Sequence, residues 1–412
     1  MTTSVGSKRP ALEVADVIRQ YGDDFVEQYG GTLTAAQRQA LRALVACRTA
    51  ALGGHVERCA DCGHQRIAYN SCRNRHCPKC QALARARWLE REAKLLLPVE
   101  YHHVVFTLPD GVAELALSNR VVCYDALFAA ASATLRDVAA NPKRLGAQLG
   151  ILMVLHTWGQ NLHHHPHVHC VVTGGGLACK ARGVVDDPTW HSCRPGFFLP
   201  VRVLSRVFRG KYLQLVRAAF EQGKLCLPLR LQALAEPQRF AAWLRPLYAK
   251  EWVVHSKPPF GGPAQVLKYL ARYTHRVAIS NSRLLKVDQR RVTFRYKDYA
   301  DDRHHKVMTL DAIEFLRRFL QHVLPKGFMK IRHYGLLASR HREAKLQRSR
   351  QLLLAVNLAT ALACAELTLS KSASRIEPAA SPHCPHCGGQ RFLRIPLPRE
   401  ETAFHSTCGD TS

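Results

Sequence analysis

Two Cys-x2-Cys pairs, Cys59 with Cys62 and Cys77 with Cys80, stand fourteen residues apart, and this spacing constrains the local fold more tightly than any other feature of the chain. Thiolates so placed can surround one ion tetrahedrally, and zinc, which has no redox chemistry, crosslinks a segment too short to hold itself by burial. The four are expected to form one structural zinc site close to the zinc-ribbon pattern. Cys72 and His76, inside the intervening loop, are substitute ligands. Arg73, Arg75, Lys79, Arg85 and Arg87 surround the site and suit contact with DNA phosphates.

Charge points to the same partner. The 412 residues contain 59 Lys plus Arg against 31 Asp plus Glu, a net charge of +28. Such a surface repels itself unless a polyanion is present, and nucleic acid is the expected one. The first ten residues are polar and carry no apolar export segment, which places the protein in the cytoplasm, on the bacterial nucleoid. In that reducing compartment the 15 Cys read as metal ligands and free thiols rather than a disulfide framework. The longest apolar run, Leu352 to Ala365, is interrupted by Asn357 and Thr360 and is too short to span a bilayer.

The hydrophobic pattern is helical from Leu12 to Ala51, with Thr34 and Gln37 spaced as a capping box. A charged helix follows the cysteines from about Gln81 to Leu97 and stops at Pro98. Tyr101 to Thr107, dense in β-branched and aromatic residues, reads as the first core strand. A helical stretch from Val112 to Ala140 leads to two strands, Gly150 to Trp158 and His167 to Thr173, expected to pair antiparallel across a histidine-rich bend, with Gly174 to Gly176 ending the second. Helices are expected from Leu204 to Gly223, Pro237 to Tyr248 and Ala264 to about His275. Strand signals follow at Trp252 to His255, Val277 to Ser280, Leu284 to Val287, Val292 to Tyr296 and Lys306 to Thr309. Asp311 and Glu314 open an amphipathic helix, and Ala344 to Leu369 is again helical. Beyond Glu377 the chain reads as a linker.

Three further groups carry chemistry. In His167-Val168-His169, residues two apart on a strand share a face, so both rings can reach one ion while Val168 packs inward. His156 on the adjacent strand offers a third nitrogen, with Gln160 as the alternative, and His163 to His165 read as a solvent-exposed bend. Tyr269-x3-Tyr273 places two phenols on one helical face, with Lys268, Arg272 and Arg276 near to meet phosphates. A phenol with a pKa near 10 attacks phosphate poorly unless oriented and deprotonated. An ion that polarises the phosphate supplies that help, so the histidine strand and the tyrosine helix explain each other. The third group, Cys384-x2-Cys387, is a candidate second zinc knuckle, with His405 and Cys408 as completing ligands.

Together with Asn70 to Gln81, the phrases Val104 to Pro109, His156 to Gln160, Pro166 to His169, Gly174 to Gly176, Tyr269 to Tyr273 and Arg332 to Leu337 resemble the two-tyrosine HUH transposases of rolling-circle insertion sequences, of the insertion-sequence 91 type. The resemblance spans about residues 12 to 345. It implies an α+β fold, an HUH-endonuclease-like antiparallel sheet flanked by helices, preceded by a small helical zinc-binding module. The expected segments are a lead-in and zinc-binding domain over 1–98, a nuclease domain over 99–345, a helical extension over 346–376 and a tail over 377–412. It further implies Tyr269 and Tyr273 as nucleophiles, His167 and His169 as the catalytic metal pair, magnesium or manganese as that metal, and single-stranded transposon ends and target DNA as substrate. A plasmid relaxase or rolling-circle replication initiator would share this chemistry, although no phosphate-cradling GxxxxGK[ST] loop is present. A non-catalytic zinc-dependent DNA-binding regulator would leave the HUH strand and the tyrosines unexplained.

Overall fold

The computed structural model describes residues 11–179, 189–260, 265–266, 269–270, 274, 277–298, 301–364 and 383–399, with backbone only at 258–260 and 356–364. In chain order come α1 (Val14–Tyr29), α2 (Ala35–Ala46), β1 (Gly54–Cys59), β2 (Gln65–Tyr69), α3 (Gln81–Ala93), β3 (Tyr101–Thr107), α4 (Asp110–Ser118), α5 (Arg120–Ala140), β4 (Ala147–Trp158) and β5 (His164–Ala178). There follow β6 (Trp190–Ser192), α6 (Val201–Glu221), α7 (Pro237–Ala249), β7 (Val254–Phe260), β8 (Leu284–Asp288), β9 (Arg291–Lys297), β10 (His305–Asp311), β11 (Ile331–Gly335) and β12 (Phe392–Leu397), with further helices over Ala312–Leu320 and Arg342–Cys364. Among the described residues no helix is long and apolar enough to cross a membrane.

Two compact units divide the chain. The first gathers Met1–Leu83, Ile279–Arg317 and Ser372–Ser412, so a segment inside the expected nuclease region belongs with the cysteines. Its α2 starts at the capping box read from the sequence: Thr34 accepts from the Gln37 amide while the Gln37 side chain accepts from the Thr34 amide. Val14, Val17, Phe25 and Leu44 bury the inner faces of α1 and α2. Two three-stranded antiparallel sheets complete the unit, in the orders β12-β1-β2 and β10-β9-β8. The Val277 to Ser280 segment, expected as a strand, forms none; it enters the short turn before β8.

The second unit, Ala84–Ala278 with Arg318–Lys371, is built on an antiparallel sheet in the order β11-β4-β5-β3-β7, with β6 lying along β5. Alternation along each strand sorts its side chains onto two faces. Val104, Phe106, Ile151, Met153, Val168 and Cys170 face one core, shared with the buried faces of α4 to α7. Tyr101, Leu152 and Val171 face the other, where Val266, Leu270, Leu336 and Leu346 pack. The candidate site histidines lie on this second face.

Several sequence expectations change here. The single helix from Val112 to Ala140 is two, interrupted at Asn119, whose side-chain amide donates to Leu115 O and Cys226 O and so leaves the helical pattern. Gly174 to Gly176 do not end β5 but lie within it: a Cβ on Gly174 would sit 2.8 Å from Glu100 O and one on Gly176 2.1 Å from Gln148 O. These glycines permit close backbone approach inside the sheet. The histidine bend is partly strand, since β5 begins at His164. His164 is half-buried rather than exposed: its Nδ1 donates to Ala113 O at 3.1 Å, leaving Nε2 to accept from the Tyr124 hydroxyl at 2.7 Å. The region beyond Glu377 is more than a linker, because β12 pairs with β1 over six residues.

Candidate active site and cysteine centres

The β4–β5 ladder sets His156 opposite His167 and Val154 opposite His169. The two residues of the His-Val-His phrase therefore share a face with His156, and Val168 is fully buried on the other. One nitrogen from each of His156, His167 and His169 lies within 4.8 Å of the others. His156 is buried and stacks on Trp158 at 4.6 Å between ring centroids, while His167 and His169 are half-buried. The Nδ1 of His167 is 2.7 Å from His165 O. A carbonyl only accepts, so that nitrogen carries the hydrogen and Nε2 is left with a lone pair to offer an ion. Three imidazoles converging from two hydrogen-bonded strands fit a divalent cation with coordination positions to spare.

Residues 265, 266, 269 and 270 are helical. Val266 and Leu270 are buried in the second core with Tyr269 packed beside them, and this i, i+3, i+4 set aims the phenol at the histidines. The Tyr269 hydroxyl is 3.3 Å from His169 Nδ1 and 2.6 Å from Nε2 of His103, a residue on β3. His103 Nε2 in turn lies 2.9 Å from His169 Nδ1. Burial, then the nearby Lys257 ammonium and the neighbouring His255 and His167 rings, push the His103 pKa down to about 3, so its ring is neutral and able to accept a hydrogen bond at neutral pH. His103 was not among the expected site residues. The run Tyr101 to Thr107 reads as core strand, and only the register that sets Val105 against His169 brings His103 onto the histidine face.

Among the described residues eight cysteines assemble into two groups, and neither is the expected quartet. Cys77 and Cys80 meet Cys47 and Cys72, whereas Cys59 and Cys62 meet Cys384 and Cys387; within each group the sulfurs lie within 4.8 Å of one another. The cause is β2. Residues Gln65–Tyr69 are extended, and five residues at strand rise cover about 17 Å. Cys59 and Cys62 sit at the hairpin tip, while Cys72 to Cys80 follow from its far end, too distant to share an ion. Cys72, a substitute ligand in the sequence reading, takes a full place, and Cys47 enters at the C-terminal end of α2. His76 is not in either group. The ligands expected to complete the tail knuckle, His405 and Cys408, lie outside the described residues; Cys59 and Cys62 stand beside Cys384 and Cys387.

Residues 17–108 match the family described as "Transposase zinc-binding domain" and residues 150–345 the family described as "Putative transposase". The "Putative transposase y4qJ" of Sinorhizobium fredii is 54% identical over 345 residues, covering 84% of this chain and 85% of that protein. The "Transposase for insertion sequence element IS801" of Pseudomonas savastanoi pv. phaseolicola is 31% identical over 316 residues, 75% of this chain and 72% of its own. The chain belongs to the insertion-sequence 91 family of transposases. No solved structure matches it.

The expected DNA-contacting residues of this transposase differ in their surroundings. Arg73 is exposed, with its backbone in the left-handed region at φ 53. Arg75 is half-buried, and burial lowers its pKa. Lys79 is committed inside the module, paired with Glu13 and donating to Cys47 O at 3.3 Å. Tyr273, Lys268, Arg272 and Arg276 lie outside the described residues, and Gln160 stands half-buried in the turn between β4 and β5.

Proposed function

We propose that this transposase cleaves and rejoins single-stranded DNA at insertion-sequence ends through 5′-phosphotyrosine links, with Tyr269 as a nucleophile. The carrying observation is the reach of its hydroxyl to His103 and His169 beside the three-histidine cluster. In this reading the phenol donates its hydrogen to His103 Nε2. As the Tyr269 oxygen bonds to phosphorus the P–O3′ bond breaks, and that proton, held by His103 only in transit because its buried ring resists charge, ends on the leaving 3′ oxygen as its hydroxyl hydrogen. The covalent link conserves the phosphodiester energy for rejoining. Tyr273, four residues beyond Tyr269 in the sequence, is the second nucleophile, free to cleave while the first is occupied.

His156, His167 and His169 would hold a divalent cation, magnesium or manganese, which polarises the scissile phosphate when bound. An all-imidazole set suits manganese better than magnesium, which prefers oxygen ligands. The hydrogen bond from His167 to His165 O fixes that ring's tautomer and orientation for the task. Arg73 and the positive balance of the chain supply sequence-independent phosphate attraction.

The test is a single-stranded suicide oligonucleotide carrying an insertion-sequence end, incubated with protein and manganese. A covalent adduct should survive denaturing electrophoresis, and Tyr269→Phe with Tyr273→Phe should remove it. Full adduct yield from the double variant would reject the assignment.

A further inference from the structure

We infer that Cys59, Cys62, Cys384 and Cys387 form a second structural zinc site, separate from Cys47, Cys72, Cys77 and Cys80, and that it closes one zinc ribbon from the two distant ends of the chain. The inference is independent of the nuclease reading.

The sulfur geometry is the first support. Cys59 Sγ lies 3.6 Å from Cys387 Sγ, and Cys62 Sγ lies 3.6 Å from Cys384 Sγ. Disulfide sulfurs would be bonded near ~2 Å, whereas thiolates tetrahedral about zinc at ~2.3 Å stand about 3.8 Å apart. Both pairs belong to tight knuckles: the Gly63 amide donates to Cys59 O at 3.0 Å, and the Gly388 amide to Cys384 O at 2.9 Å. Four thiolates with tetrahedral spacing and no other donor in the group select zinc.

The second support is that residues 383–399 are complementary to this place and to no single ligand alone. β12 runs antiparallel to β1, setting Arg394 opposite Glu57. Glu57 is buried on β1 between Arg66 of β2 at 2.6 Å and Arg394 of β12 at 3.2 Å. Beside the knuckle, Arg391 pairs with Asp61 and its carbonyl accepts from the Ala60 amide at 3.0 Å. A Cβ on Gly389 would fall 2.2 Å from the Asp61 carboxylate, so glycine there lets the two knuckles close. The three strands are short and leave Ile67, Leu393 and Ile395 exposed; a sheet with so little apolar burial needs a crosslink.

Elemental analysis of the full-length protein should find two zinc ions per chain. Cys384→Ser with Cys387→Ser should lower this to one while Cys72→Ser with Cys80→Ser lowers it to the other one. Unchanged zinc in the tail variant, or iron in place of zinc, overturns the proposal. Because either variant could disturb folding, the wild-type protein is also alkylated and mapped by mass spectrometry. Cys59, Cys62, Cys384 and Cys387 should resist modification together and become reactive together on chelation, while the exposed Cys179 and Cys226 react throughout. Cys384 and Cys387 modified as fast as Cys179 in the zinc-loaded protein would refute the shared site, whatever the outcome of the cleavage assay.

Discussion

The histidine cluster and the cysteine groups of this transposase are built in opposite ways. His156, His167 and His169 come from adjacent strands, each locked by a backbone ladder and backed by a large apolar core on the far face of the sheet. The cysteine groups hang on short strands and turns, drawing their thiols from the end of α2, the tip of the β1–β2 hairpin, the loop before α3 and the turn before β12. The sheet would hold its histidines in place without an ion, whereas the ribbon has little besides its thiolates and a few charged pairs to hold it together. On the proposed reading, metal would serve reactivity in one region and folding in the other.

That contrast can be broken by experiment. The largest expected effect is kinetic: His167→Ala with His169→Ala should reduce oligonucleotide cleavage to background, with the thermal midpoint and duplex binding retained, since the sheet and the basic surface are untouched. Loss of fold in that variant would mean that the sheet, too, depends on its ligands. Removal of zinc by a chelator should unfold the cysteine module, because structural zinc contributes about 10–16 kcal/mol in small domains. Limited proteolysis should then cut near β12 and β1 while the β3–β4–β5 sheet persists. His103→Gln should slow single-turnover cleavage by about 10²–10⁴ at unchanged DNA affinity; a change in affinity alone would make His103 a packing residue. Val168→Ala, beneath the histidines, should cost about 1–3 kcal/mol by leaving a cavity, read by chemical denaturation.

The smallest effect is a pH dependence of stability. Burial pushes the pKa values of His102 and His164 down to about 4, with Arg120 adding to the effect on His164. Both rings are neutral in the folded protein and ordinary in the unfolded one. Their stability is fully present above the usual value of 6.5 and is lost as pH falls from there toward 4. Melting temperatures measured from pH 7 to pH 5 should decline, and His164→Gln should flatten part of the decline.

What could be read from the sequence follows the same division. The shared face of the histidine pair and its partner strand was legible because the strand period converts sequence spacing directly into a side of the sheet, and the helical backbone at Tyr269 was legible too. His103 was not, since a histidine inside an apolar strand has no local partner and acquires its role only from the register of β3 against β5. The cysteines revealed their ligand chemistry but not their grouping. Fourteen intervening residues looked like a loop, yet five of them form β2 and carry the two knuckles apart. The glycine triplet misled for a related reason: glycine marks both chain reversals and close backbone contact, and here it marks the latter.

The pairing of β1 with β12 also has a consequence for synthesis. During translation at about 5–20 residues per second, a nascent chain that has already exposed Cys59 and Cys62 must wait roughly tens of seconds for the codons of Cys384 and Cys387 to be read. Throughout that interval the hairpin lacks its third strand and half of its thiolates. A transcript broken anywhere in between yields a polypeptide that can never complete this ribbon.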